Sequence, residues 1–216
     1  MANRKIKRRG TLRSGGRSFV RNLGNRAGQP SVLLVCEDEK NSPRYFKSLC
    51  YYLKINSATV QIPPNIGSAP ISVVDFAEEK YRRDGGYDRV FCVFDRDQHE
   101  SFERAVRKVN SLALVGLPIM AVTAVPCFEL WLLLHFERMD RPMRTCAEVI
   151  QRLRRHVPEF VKGESDIAEE ILSKTELAVA NARWLSRRQS AASAENPSTR
   201  IHELVTYLIG LKSPEL

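Results

Sequence analysis

Two short apolar runs in this chain stop abruptly at acidic residues. Val32-Leu33-Leu34-Val35-Cys36 has no polar member and leads directly into Glu37-Asp38-Glu39-Lys40. An unbroken run of this length suits a strand covered on both faces, the usual position of a strand in a parallel sheet. Val90-Phe91-Cys92-Val93-Phe94 repeats the pattern and ends in Asp95-Arg96-Asp97. Each buried strand would fix the place of the charge that follows it.

Between and after these runs the pattern alternates. Residues 43–53 read as a helix, with Ser42 as a cap and Pro43 at the first position. Residues 59–62 form a short strand stopped by Pro63-Pro64. Residues 71–82 place Val73, Val74, Phe76 and Ala77 on one side of a helix that ends at Gly85-Gly86. A strand over 89–94, a helix over 101–115 and a strand over 119–125 complete a β-α-β-α-β-α-β order. This order predicts a mostly parallel four-stranded sheet with right-handed crossovers, flanked by helices. Ligands of such sheets gather outside the carboxyl ends of the strands, where both acidic clusters fall. From Pro126 onward the pattern is helical, over 128–137, 146–155, 166–187 and 197–211. The expected organisation is a basic arm (1–30), an α/β core (31–140) and a helical C-terminal extension packed on that core (141–216).

The net charge of +9 is concentrated in the arm. Residues 1–30 hold nine basic residues, Arg4, Lys5, Lys7, Arg8, Arg9, Arg13, Arg17, Arg21 and Arg26, and no acid. Taking these nine from the 34 basic residues of the whole chain leaves 25, equal to its 25 acidic residues. The arm is poor in large apolar residues, so it is expected to be disordered. Arginines spaced along such an arm suit phosphate binding by counterion release. The five cysteines never occur as C-x-x-C and several sit in apolar runs, which predicts reduced, buried thiols, a cytoplasmic protein and no zinc site. The longest apolar run of the helical part, Leu130 to Leu134, is too short to cross a bilayer.

Asp95 and Asp97 stand two apart at a strand end, so in extended geometry they point to the same side. Two carboxylates converging in a partly buried place repel each other unless a cation joins them, and Mg²⁺ is commonly held by one or two carboxylates with room for substrate phosphate. With Glu37 ending a strand of the same sheet, the set fits metal-assisted phosphoryl transfer. Glu39 is either an outer metal ligand or an acid near a helix start. Lys40 would neutralise a phosphate or pair with an acid of the cluster. His99, two residues past the acidic pair, would donate to a phosphate or carry a proton. Glu129 lies within the otherwise apolar Cys127-Phe128-Glu129-Leu130-Trp131, where a buried acid needs a partner; a metal site or the dipole of a helix starting at Pro126 would supply one.

The stretches VLLVCEDEKNSPRYF, CVFDRDQHESF, VPCFELWLLLHF and NPSTRIHELV together resemble the RloB-like family of bacterial defence-associated proteins, over residues 31 to 211. The order strand-Glu37, strand-Asp95-x-Asp97 is also similar to the Toprim fold of topoisomerases, bacterial primases and small nucleases related to the maturase of 5S ribosomal RNA. The resemblance implies a Toprim-like core, nuclease chemistry with Mg²⁺ or Mn²⁺, a role in antiviral defence and an ATPase partner. It places Glu37 at the Toprim glutamate and Asp95 and Asp97 at the metal-binding aspartates. It departs at Asp38, where a glycine is expected, and at Val125, where a polar residue is expected. The leading expectation is a metal-dependent endonuclease that cleaves RNA, such as tRNA, in preference to DNA. The alternatives are a non-catalytic metal-binding or partner-binding subunit of an ATPase complex and a primase-like nucleotidyl transferase; a homodimer is left open.

Overall fold

A computed structural model describes residues 30–64, 67, 69–96, 100–165, 169–192 and 195–212. The elements run β1 (Val32–Cys36), α1 (Asn41–Tyr52), β2 (Val60–Gln61), α2 (Pro70–Asp84), β3 (Arg89–Asp95), α3 (Phe102–Leu114), β4 (Ile119–Val125), α4 (Glu129–Leu133), α5 (Cys146–Leu153), α6 (Glu169–Ser173), α7 (Thr175–Ala192), β5 (Ser198–Thr199) and α8 (Ile201–Gly210). The strands form one sheet in the order β2-β1-β3-β4-β5. β1 pairs in parallel with β2 and β3, and β3 pairs in parallel with β4. All five residues of β1 are buried, as an interior parallel strand requires.

The sheet has five strands rather than the expected four. Ser198 and Thr199 pair antiparallel with Val125 and Ala124, so the segment that follows Pro197 begins as an edge strand and turns helical only at Ile201. Two residues are too few to carry a period-2 signal, which is why the sequence reads as helix there. The helical run expected over 128–137 is regular only from Glu129 to Leu133, with tighter backbone bonds such as Trp131 N–H to the Phe128 carbonyl at its ends. Pro126 and Pro197 both follow cis peptide bonds, and neither opens a helix. The long helix expected over 166–187 is two helices, α6 and α7.

Side chains alternate between the two faces of the sheet. Leu33 and Val35 join Val90, Cys92 and Phe94 beneath α2 and α3. Val32, Leu34 and Cys36 join Phe91 and Val93 on the other face, against α1, α4, α5, α7 and α8. This second cluster draws on residues from β1 through α8. The helix after β1 therefore covers one face and the helix after β3 the other. The crevice outside the carboxyl ends of β1 and β3 is the topological switch point of the sheet.

Candidate functional site

Glu37 and Asp95 meet at this switch point. The Glu37 N–H donates to the Val93 carbonyl at 2.9 Å, which extends the ladder one residue past β1. The Glu37 side chain then reaches across, and its Oε2 accepts from the Asp95 N–H at 2.9 Å. Asp95 Oδ2 accepts in turn from the Phe128 N–H at 3.0 Å. One oxygen of each carboxylate is thus oriented by a backbone amide, an arrangement that holds acidic side chains at fixed places. Burial pushes the Asp95 carboxyl well above the usual carboxylate range, and the like charges of Glu129, Glu37 and Asp38 push it the same way against the Phe128 amide. Negative charge is crowded here, and a cation would relieve the crowding.

Glu129, fully buried at the start of α4, is the third carboxylate of the neighbourhood. Its Oε1 accepts from Asn41 Nδ2 at 2.6 Å, and Asn41 Oδ1 accepts from the Gly163 N–H at 2.8 Å. Asn41 is the first residue of α1, so the turn after β1 delivers both Glu37 and the residue that holds Glu129. Lys162 Nζ stands 3.5 Å from Glu129 Oε2. Behind this group His135 is fully buried. Its Nδ1 lies 2.9 Å from the Trp131 carbonyl oxygen, which can only accept, so Nδ1 carries the proton and Nε2 accepts from the Tyr45 hydroxyl at 3.1 Å. Desolvation pushes the His135 pKa down to about 4.

The remaining acids of the first cluster divide. Asp38 does not turn toward the crevice; its Oδ1 accepts from the Lys40 and Ser42 N–H groups, and its Oδ2 from the Ser42 hydroxyl. It ties the start of α1, the role the sequence assigned to Ser42. Glu39 and Lys40 are exposed, and the Lys40 stem runs beside Gly163. Asp97, His99 and the basic arm from Arg4 to Arg26 lie outside the described residues. Of the expected metal ligands, the structure brings together Glu37 and Asp95, with Glu129 close enough to act on Asp95 electrostatically.

Two features escaped the sequence. Cys127 and Cys146 form a disulfide, with Cα atoms 5.5 Å apart, which corrects the expectation that all five thiols are unpaired; Cys36, Cys50 and Cys92 are free. The sulfurs and the Glu129 carboxylate lie within 4.8 Å of one another, a grouping able to hold a metal ion. A cavity of about 560 Å³ also opens beside Arg96, lined by Thr123, Gln189, Glu195 and Arg200. Gln189 Nε2 is buried there without a hydrogen-bond partner among the described residues. Arg96 lies over the Phe102 ring and pairs with Glu195 at 2.5 Å.

A family model described as RloB-like protein matches residues 32–208. No curated protein and no solved structure matches the chain. Among the described residues no helix is long and apolar enough to cross a membrane.

Proposed function

The chain belongs to the RloB-like family, and we propose that it is a Mg²⁺-dependent nuclease, hydrolysing phosphodiester bonds in RNA in preference to DNA. The observation that carries this reading is the convergence of Glu37 and Asp95 at the switch point between β1 and β3, each with one oxygen held by a backbone amide. A glutamate after β1 and an aspartate at the end of β3 of a parallel sheet is the arrangement we read as Toprim-like.

The donor set suits a hard divalent cation: two converging carboxylates in a half-buried crevice, one of them reluctant to ionise unless charge is supplied. Glu37, Asp95 and Asp97 would hold Mg²⁺, or Mn²⁺ in its place, and the ion would neutralise charge and act as a Lewis acid at the scissile phosphate. The chain's own residues do the rest. The Phe128 and Asp95 amides fix the carboxylates so that little reorganisation accompanies the reaction. Lys40 and His99 follow the two acidic strand ends in sequence and are assigned to phosphate neutralisation and proton transfer, with Glu39 as an outer acid. The cavity beside Arg96 is large enough for a nucleotide and offers Arg96, Arg200 and the unpaired Gln189 amide to its acceptor atoms. The arginine arm supplies affinity without sequence preference. The antiviral role and the ATPase partner are carried to this chain by its family resemblance.

The test is Asp95→Ala. Cleavage of a structured RNA in Mg²⁺ should fall by at least about 1000-fold, the scale expected when a metal ligand in phosphoryl transfer is lost. The circular dichroism spectrum should be unchanged, and the chelator EDTA should abolish wild-type cleavage. Cleavage by the variant at the wild-type rate would sink the reading.

A further inference from the structure

The disulfide between Cys127 and Cys146 lies against a carboxylate that a disulfide cannot satisfy. Glu129 Oε1 has the Asn41 amide as donor, but Oε2 faces Cys146 Sγ at 3.0 Å. A disulfide sulfur has no proton to give, whereas a thiol has one, and a metal ion bound by both atoms would satisfy both. Lys162 is the neighbouring cation. Its ammonium is 3.5 Å from Glu129 Oε2 and 3.4 Å from Cys146 Sγ, beyond normal hydrogen-bond length to the carboxylate, on a side chain 47% exposed.

The three donors come from separately anchored segments. Cys127 is buried two residues past β4. Glu129 opens α4 and is oriented by Asn41 from α1. Cys146 is the first residue of α5, whose N-cap Thr145 accepts from the Glu148 N–H at 3.3 Å. All donor atoms lie within 4.8 Å of one another. Around one tetrahedral Zn²⁺ two thiolate sulfurs and a carboxylate oxygen stand roughly 3.6–3.8 Å apart. Opening the S–S bond brings the sulfurs toward that spacing without moving the elements that carry them.

We propose that the dithiol form of this protein holds one Zn²⁺ through Cys127 Sγ, Cys146 Sγ and the Glu129 carboxylate, with a water at the fourth position. The disulfide is the oxidised, metal-free form of the same site. Conversion needs a dithiol reductant: its two sulfurs join in a disulfide and give up two electrons and two protons, while the Cys127–Cys146 bond breaks and each sulfur gains a proton. Zn²⁺ then displaces both thiol protons. Two thiolates make the site soft, so it is distinct in kind from the oxygen-only pair Glu37 and Asp95. The inference does not depend on the nuclease reading.

The experiment uses the full chain, reduced with a phosphine and freed of metal by chelator, and titrated with Co²⁺ as a spectroscopic substitute for Zn²⁺. The expected result is one equivalent bound, with thiolate-to-cobalt charge-transfer absorption and strong tetrahedral ligand-field bands that Zn²⁺ abolishes and excess Mg²⁺ does not. Cys127→Ser and Cys146→Ser should each weaken binding by about 100-fold or more and reduce the charge-transfer band. Glu129→Gln should weaken binding while the sulfur bands persist, and Cys50→Ser and Asp95→Asn should leave them unchanged. Loss of cleavage in Asp95→Asn together with intact cobalt bands keeps the two readings separate. As a check that needs no variant, one equivalent of Zn²⁺ should protect Cys127 and Cys146 of the reduced wild type from alkylation, identified by mass spectrometry. Absence of the charge-transfer band in the reduced protein, its survival in both cysteine variants, its appearance in the oxidised protein, or alkylation of Cys127 and Cys146 unaffected by Zn²⁺ would overturn the proposal.

Discussion

The two faces of the sheet are built from different kinds of interior. Beneath α2 and α3 the contacts are aliphatic and aromatic, Leu33, Val35, Val90 and Phe94 against Val73, Val74, Ala105 and Val109. Charge stays outside, where Lys108 pairs with Asp75 and Glu78 at 2.7 Å each. On the other face Asn41, Glu129, His135 and Asn181 are buried among Tyr45, Phe128, Trp131 and the leucines of α4. An apolar interior tolerates repacking, but each buried polar group needs one particular partner. The first face is therefore a support that many sequences would provide. The second fixes where Glu37, Asp95 and Glu129 stand.

The sharpest way to break this comparison is to remove a partner on the polar face. Asn41→Ala takes the donor from a fully buried carboxylate and the acceptor from the Gly163 amide. The expected loss is about 3–4 kcal/mol in urea unfolding, the scale of stranding a buried charge. A loss under about 1 kcal/mol would mean that Glu129 is satisfied in another way. Next comes pH. His135 has its folded pKa lowered to about 4, so the unfolded chain binds its proton first as pH falls. Its contribution is intact above the unfolded value of about 6.5 and is lost as pH drops toward 4, roughly 2 kcal/mol between pH 7 and pH 5. His135→Gln should remove that part of the acid-side slope, read from unfolding curves at a series of pH values.

The same division explains what could be read beforehand. Glu37 and Asp95 were legible because an apolar run of strand length buries its backbone and leaves the next residue at the sheet's carboxyl end. Parallel order then brings the two ends together. Asn41 and Glu129 are 88 residues apart, and nothing local to either names the other. The Cys127–Cys146 pair is separated by 19 residues with no close-spaced cysteine motif, so the thiols look like ordinary small apolar residues. Asp38 stands out in the sequence only as a departure from the family pattern, although an acid four residues before Ser42 also serves as a backbone acceptor for the first turn of α1. Pro126 satisfied the rule for a helix start, yet the chain first turns through Cys127 and Phe128 to present the amide that holds Asp95.

A smaller effect separates positioning for function from positioning for stability. Asp95 is crowded by like charges, so Asp95→Asn should stabilise the metal-free protein by about 1 kcal/mol, or roughly 2–4 °C in melting temperature. Mg²⁺ should raise the melting temperature of the wild type and not of the variant. A destabilised Asp95→Asn protein would show that the Phe128 amide, rather than the charge crowding, dominates at this position.

The smallest effect belongs to the apolar face. Lys108→Ala removes two ion pairs at once, to Asp75 and Glu78, on a side chain about one-third exposed. Exposed pairs gain little because water solvates both charges well and ordering the long side chains costs entropy. The expected loss is about 0.5 kcal/mol, shrinking further when salt screens the charges. Cleavage should not change, because Lys108 pairs with α2 and lines neither the crevice at Glu37 and Asp95 nor the cavity beside Arg96. A loss near that of Asn41→Ala, insensitive to salt, would erase the distinction between the two faces and make the α2–α3 surface a structural determinant in its own right.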